Sequence, residues 1–166
     1  MRSATFVAWA ASLVGLAAAA SQFPATSMSE GLSGAVEVRD ANLPPYTIVG
    51  TGVPKPLTDK PGNPQDGRKW ALGVAYGNCL ACHKLPAPEE QFHGEIGPDL
   101  AGVGGRLPED AIRLRIIDPK RINPATPMPS FYKIDGLHRV AAAWVGKTIL
   151  SAQQVEDVVA YLKSLR

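Results

Sequence analysis

The C-terminal segment carries the most regular hydrophobic pattern in the chain. Apolar side chains recur there at helical spacing. They are Val155, Val158, Val159, Leu162 and Leu165. Ser151 and Gln154 have the spacing of a capping box, and Leu150 can pack on the first turn as a hydrophobic staple. The pattern predicts a helix that begins after Ser151. Its charged residues are expected to lie away from the apolar stripe: Glu156, Asp157 and Lys163.

Two more helices are predicted from their end signals. Asn63 followed by Pro64 is typical of an N-cap and the first helical position, and this helix should run to about Tyr76. Gly73 and Gly77 weaken its later turns, but they would let another helix cross closely.

The other helix should run from Pro108 to Asp118. Glu109 and Asp110 lie in its first turn, where carboxylates oppose the positive end of the helix dipole, and Pro119 ends it. No convincing strand pattern or alternation of strands and helices appears in this part of the chain, so the domain is predicted to be all-α.

Residues 21–62 show neither a helical nor a strand period, because prolines and glycines interrupt them. Tyr46, Ile48 and Val49 could form one short extended piece. A disordered linker is one interpretation. We favour an irregular but ordered arm over the domain, since the segment retains several apolar side chains: Leu43, Tyr46, Ile48, Val49, Val53 and Leu57.

The first residues have the features of an export signal. One positive charge at Arg2 precedes an Ala-rich apolar stretch that ends in small residues suited to cleavage before Ser21. An uncleaved anchor is the alternative, although the stretch is shorter than the ~20 apolar residues that span a bilayer. We expect residues 1–20 to be removed and the mature protein to lie in the periplasm without a membrane span.

Composition changes this picture in two ways. Aromatic residues make up only 7% of the 166 residues, while Gly and Pro occur 16 and 15 times, which favours short elements and long loops. Formal net charge is +2, so there is no reason to expect nucleic acid or an anionic membrane as partner.

Cysteine occurs only in the run Cys79-Leu80-Ala81-Cys82-His83. This C-x-x-C-H spacing is typical of covalent haem attachment. Two thiols in one tight turn can reach neighbouring vinyl groups of a porphyrin, and the next residue then points at the iron from the same side. The run predicts one haem c, attached at Cys79 and Cys82 and ligated by His83, which would also fill part of a small core.

Two other chemistries fit a C-x-x-C pair. A redox-active pair would need the strand–helix–strand context of thioredoxin, which the pattern lacks. A zinc site would need four ligands. Cys79, Cys82 and His83 could supply three of them, with His93 or His138 as the fourth.

Met128 is the best candidate for the second axial ligand of the iron. It lies between Pro127 and Pro129 in a stiff polar loop between helices, whereas Met1 and Met28 precede the domain. His/Met ligation suits an electron carrier of high reduction potential. A methionine that merely packs on the domain is the alternative, and the other candidate ligands are His93 and His138.

Residues around the motif would orient the haem. The carbonyl of Pro98 could accept the proton of the His83 nitrogen that faces away from the iron, and Leu100 could pack beside the ring. Arg106 could reach a haem propionate or could be a solvated charge. The Gly-Pro step at residues 97–98 could equally be an ordinary turn.

The order of these features along the chain resembles that of class I cytochromes c. The features are the N-terminal helix, C-x-x-C-H, the Gly-Pro-Asp-Leu run, a proline-flanked methionine and the last helix. The chain is also similar to the SoxX family of sulfur-oxidation cytochromes over about residues 40–166. The matching segments are residues 48–64, 77–83, the Met-Pro-Ser-Phe-Tyr run at 128–132, and 150–162. One departure is the Ala-rich stretch at 140–146.

The resemblance implies a monohaem class I cytochrome c domain at residues 63–166, preceded by the arm. It also implies partners: a SoxA-like cytochrome with one or two haems, the carrier SoxYZ, and a small acceptor cytochrome. With SoxA, such a protein would form an L-cysteine S-thiosulfotransferase, within which this chain only relays electrons. The alternative function is a free periplasmic electron shuttle to an oxidase or reductase.

Overall fold

The computed structural model describes residues 34–40 and 42–166. The predicted signal segment and the start of the arm lie outside these residues. Within them the chain forms two strands, β1 (Ala35–Val38) and β2 (Tyr46–Val49), and four α-helices. The helices are α1 (Pro64–Leu72), α2 (Val103–Arg106), α3 (Glu109–Ile117) and α4 (Ala152–Ser164). No helix of the described part is long and apolar enough to cross a membrane.

Helix α4 begins as its sequence predicts. The Ser151 hydroxyl accepts from the Gln154 N–H, and the Gln154 side chain accepts from the Ser151 N–H at 2.8 Å, so the capping box is complete. The apolar stripe is buried. Glu156 and Asp157, which were predicted to lie away from this stripe, are nevertheless buried among partners on α3, on α1 and in the arm.

Helix α1 is shorter than predicted and ends at Leu72 instead of Tyr76. The Gly73 N–H still donates to the Lys69 carbonyl, but the chain then turns, and the Gly77 N–H returns to the Trp70 carbonyl at 3.0 Å. Two glycines within five residues are too costly for further helical turns.

The crossing of α1 over α4 occurs at Gly67 and not at the predicted Gly73 or Gly77. A Cβ on Gly67 would overlap the Asp157 carbonyl of α4, whereas the neighbours of Gly73 and Gly77 are Tyr76, Lys69, Trp70, Ala71 and Cys79. The close approach at Gly67 brings Trp70 within reach of α4, and its Nε1–H donates to Asp157 Oδ2 at 3.1 Å.

Helix α3 follows its prediction, with Pro108 at the N-cap and Asp118 at the C-cap. Helix α2 was not predicted, because Gly104 and Gly105 form half of it. It docks on the end of α4, where Lys163 Nζ donates to the Gly104 carbonyl at 2.7 Å.

The described part of the arm is a small antiparallel hairpin followed by an extended segment. Strand β2 matches the predicted extended piece, while β1 was not predicted. Tyr46 and Ile48 of β2 face the core and are buried, whereas Thr47 and Val49 are exposed. The extended segment is bound to the helices along its length, for example through Val53 to Asp110, Leu57 to Glu156 and Asn63 to Asp157. These contacts favour the ordered arm over a disordered linker.

Candidate functional site

The C-x-x-C-H run folds into a tight turn. Residues Cys79–Ala81 form one 3₁₀ turn, and the N–H groups of Cys82 and His83 both donate to the Cys79 carbonyl, at 3.1 and 2.9 Å. Leu80 points into the core and anchors the turn. The two thiols and the imidazole therefore come from one rigid segment, and the thiols are not joined in a disulfide.

His83 has a fixed orientation. Its Nδ1 lies 2.7 Å from the Pro98 carbonyl oxygen, so Nδ1–H donates there and the lone pair of Nε2 is left for a metal. Gly97 lies so close to the ring that a Cβ would overlap Cε1 of His83. Pro98 and Gly97 thus fix the hydrogen bond and the packing of the same ring.

The Gly-Pro segment is held parallel to the motif by backbone hydrogen bonds. The Gly94 N–H donates to Leu80, Gly97 to Cys82 and Leu100 to Lys84, at 2.7, 2.7 and 2.9 Å. These three hydrogen bonds connect residues 94–100 to residues 80–84 and keep Pro98 beside His83.

Two adjacent cavities, of about 400 and 430 Å³, open beside this segment. Five residues line both of them: Cys79, His83, Pro98, Thr126 and Met128. Cys82 lines the first cavity and Leu100 the second. The site therefore combines two thiols, an imidazole with a free nitrogen and a thioether in one apolar cleft, and these donors fit a covalently attached haem.

Met128 comes from the Met128 loop (residues 123–130), which lies between a 3₁₀ turn at Pro119–Arg121 and the buried pair Phe131 and Tyr132. The methionine is half-buried, and its N–H donates to the Thr126 hydroxyl at 3.2 Å. Its flanking prolines are exposed. The loop thus brings a single apolar sulfur side chain toward the core.

Burial raises the pKa of the Cys79 thiol to about 11, with a smaller contribution from the nearby Cys82. These surroundings disfavour a charged thiolate. They therefore suit an uncharged sulfur atom, such as that of a thioether bond to haem. They suit a reactive redox thiol poorly, because such thiols have lowered pKa values.

Arg106 lies at the edge of the second cavity. Its Nη2 donates to the Asp99 carbonyl at 2.8 Å, and Nη1 donates to the Ala101 carbonyl. The guanidinium is exposed and is held against the same turn that carries Pro98.

The other metal chemistries find no support in the described residues. Nowhere in them do three or more His, Cys, Asp or Glu side chains lie close enough to hold a metal ion by themselves. His93 is occupied in its own loop, where Nδ1 accepts from the Leu85 N–H at 3.1 Å and Nε2 lies 3.2 Å from the Glu90 carbonyl. His138 is exposed.

Sequence reasoning missed the groups that surround the motif from other segments. Phe131 and Ile149 line the first cavity, and Asp118 and Lys120 bind residues of the Met128 loop. No local pattern marks these residues, since their contacts depend on how α3 and the loop pack. Gly97 could be noticed in the sequence, because a Gly-Pro dipeptide predicts a tight turn.

Comparisons with known proteins agree with this site. The family model for cytochrome c matches residues 73–166. Among solved structures, a chain of the crystal structure of SoxXA from P. pantotrophus is 41% identical, with a TM-score of 0.64. The match covers 69% of this chain and 90% of that chain. No curated protein sequence matches significantly.

The fold, the cleft and the matched region lead to the same assignment. The predicted fold class is confirmed, with the small hairpin as an addition to the helical domain. The prediction of haem c is likewise confirmed, because attachment through C-x-x-C-H defines this family. The chain belongs to the cytochrome c family, as a SoxX-like class I cytochrome that binds haem c covalently and transfers electrons.

Proposed function

We propose that this chain is the electron-relay subunit of a SoxAX-type L-cysteine S-thiosulfotransferase. The observation that carries the proposal is the 41% identity to a chain of the SoxXA structure over 90% of that chain. A match of this extent covers the surface of the domain as well as its core. It therefore favours a shared partner and not merely a shared fold.

In the proposed reaction, a carrier cysteine and thiosulfate are joined by a new S–S bond. The thiol loses its proton, and two electrons leave the pair of sulfur atoms. Bound haem c takes up and releases one electron at a time. We assign bond formation to a SoxA-like partner with one or two haems, acting on the carrier SoxYZ, and the outward relay of electrons to this chain and a small acceptor cytochrome.

We assign the residues of the site as follows. Cys79 and Cys82 hold the haem, and His83 is one axial ligand, oriented by its hydrogen bond to Pro98. Met128 is the second axial ligand. Its support is its place in the cleft, where it is half-buried and lines the same two cavities as His83. Leu100 would pack beside the haem. Arg106, at the edge of the second cavity, would be available to bind a haem propionate.

The domain limits and location are part of the proposal. We place the signal peptide at residues 1–20, the arm at 21–62 and the haem domain at 63–166. Export to the periplasm follows from the signal and fits the oxidising compartment in which C-x-x-C-H cytochromes are assembled. N-terminal sequencing of the mature protein would test it, since an intact N-terminus at Met1 would contradict cleavage.

Reconstitution tests the function. The holoprotein, a SoxA-type partner and the thiol form of the carrier should together show thiosulfate-dependent reduction of the haem of this chain. Omission of the partner, or a carrier without its cysteine, should abolish the reduction. A monomer that binds no partner and passes electrons directly to an oxidase would instead establish the free periplasmic shuttle.

The axial ligand has its own test. Met128→Ala should open the iron to carbon monoxide and lower the reduction potential, because a thioether ligand raises it. Met28→Ala is the matched control, as Met28 is the other methionine that remains after cleavage. A Met128→Ala protein with the wild-type spectrum and no binding of carbon monoxide would contradict the ligation.

A further inference from the structure

The Met128 loop is poor in backbone donors. Pro124, Pro127 and Pro129 have no N–H, so these positions cannot take part in backbone hydrogen bonds as donors. Its carbonyl oxygens need other partners. Lys120 supplies them from the preceding 3₁₀ turn, where its Nζ lies 2.9 Å from the Thr126 carbonyl and 3.3 Å from that of Met128.

Asp118 binds the other end of the loop. Its Oδ1 accepts from the Ser130 hydroxyl at 2.8 Å, and its Oδ2 accepts from Lys133 Nζ at 2.6 Å. Arg121 Nε lies 3.6 Å from the same Oδ2. Ser130 is two residues beyond Met128, so the carboxylate fixes the chain where it leaves the loop.

Asp118 is itself firmly placed. The residue is only 1% exposed, and its N–H donates to the Leu114 carbonyl at the end of α3. The Phe131 N–H donates to the Ile116 carbonyl at 3.1 Å, which brings the chain beyond the loop against the same helical turn. Bonds to a buried carboxylate are stronger than those between neutral groups, so this contact resists displacement.

From these contacts we infer that Asp118 and Lys120, on either side of Pro119, are positioning residues that together hold Met128 in the cleft. The inference rests on the proposed ligation by Met128. Lys120 acts on the carbonyls before and at the methionine, and Asp118 acts on the residue after it. The end of α3 and the turn after it thereby anchor the loop that carries Met128.

Carbon monoxide binding measures the fraction of molecules in which Met128 is detached from the iron. Carbon monoxide competes with Met128 for the iron of the reduced protein, so its apparent affinity rises with the fraction of molecules in which the methionine is detached. Asp118→Asn leaves Lys133 facing an amide, and we expect the apparent affinity to rise about tenfold or more. Lys120→Ala removes two exposed bonds and should raise it only about threefold.

Matched controls separate positioning from general loosening. Asp157→Asn alters a carboxylate that is likewise buried and hydrogen-bonded, but on α4, where it accepts from three donors. Lys147→Ala removes a lysine that donates to the Ala143 carbonyl in a different loop. We expect both controls to bind carbon monoxide like the wild type, even where urea unfolding shows a loss of stability.

The outcomes are distinct. If Met128→Ala itself leaves carbon monoxide binding unchanged, the proposed ligation fails. If Met128→Ala raises it but Asp118→Asn and Lys120→Ala match their controls, the ligation stands and the positioning role is overturned. Should Asp118→Asn not fold, Lys120→Ala alone decides, since that side chain is exposed. Equal effects from Asp157→Asn would also overturn the assignment of Asp118.

Discussion

The guanidinium of Arg113 and the carboxylate of Glu156 form a buried bidentate ion pair between α3 and α4. Nε lies 2.9 Å from Oε1, and Nη2 lies 2.9 Å from Oε2. The same two side chains also bind the arm, through Nη1 to the Val53 carbonyl and Oε1 to the Leu57 N–H. One pair thus joins two helices and the segment that precedes the domain.

Glu156→Gln should strongly destabilise the holoprotein. The amide cannot neutralise Arg113, which is 1% exposed and would keep only the exposed carboxylate of Glu109 as its counter-charge. Breaking a buried pair from one side costs about 3–5 kcal/mol of unfolding free energy when no other counter-charge remains. Because Glu109 still pairs with Arg113, we expect a loss near the lower end of that range. Urea unfolding measures the loss. Glu37→Gln, which breaks the exposed pair with Arg39, should change little. A similar small effect for both variants would contradict the role of the buried pair.

Helical periodicity located α4 but did not reveal that Glu156 and Asp157 are buried. The pattern reports which face of a helix is apolar, and it assigns charged residues to solvent by default. Here a second surface, the arm, covers the polar side of the helix. Its backbone N–H groups at Leu57 and Asn63 need acceptors, and the two carboxylates provide them. No property of α4 alone reveals that contact.

The residues of the candidate site likewise fall into those that the sequence reveals and those that only tertiary packing reveals. Cys79, Cys82 and His83 could be identified from the sequence, because covalent haem attachment requires these residue types at a fixed spacing. Met128 is suggested by its prolines. The contacts of Asp118 with Ser130 join groups twelve positions apart across a turn, and they exist only once α3 has packed.

Gly67→Ala should destabilise the protein although alanine is the better helix former. The new methyl group would overlap the Asp157 carbonyl and lie 2.9 Å from Cβ of Tyr161. Such overpacking costs about 1–3 kcal/mol or more, which exceeds the helical gain of roughly 1 kcal/mol. Thermal unfolding measures the result. Gly105→Ala is the control, because nothing lies near its Cβ position, and it should be neutral or slightly stabilising. Equal stability of the two variants would refute the close crossing.

Gly97→Ala should disturb the haem ligand without unfolding the domain. The added methyl group would displace the His83 ring and lengthen its 2.7 Å contact with the Pro98 carbonyl. We expect a shift in reduction potential and an altered visible spectrum, because the second hydrogen bond of an axial imidazole tunes the metal. Gly34→Ala has open space around it and should match the wild type in both measurements. A Gly97→Ala spectrum identical to that of the wild type would show that the ring tolerates displacement.

Asp118 should make the stability of the protein sensitive to acid. Burial acts to raise the pKa of its carboxyl, but the hydrogen bonds from Lys133 and Ser130 outweigh it, and the pKa lies below the ordinary 3.8. A lowered pKa in the folded state means that the stabilisation is complete above the unfolded value and is lost as the pH falls through the folded value. The difference in unfolding free energy between the wild type and Asp118→Asn should therefore be constant from neutral pH to about pH 5 and shrink steadily below 3.8. Urea unfolding at a series of pH values measures it, and a difference that persists or grows in acid would contradict the charged contact with Lys133.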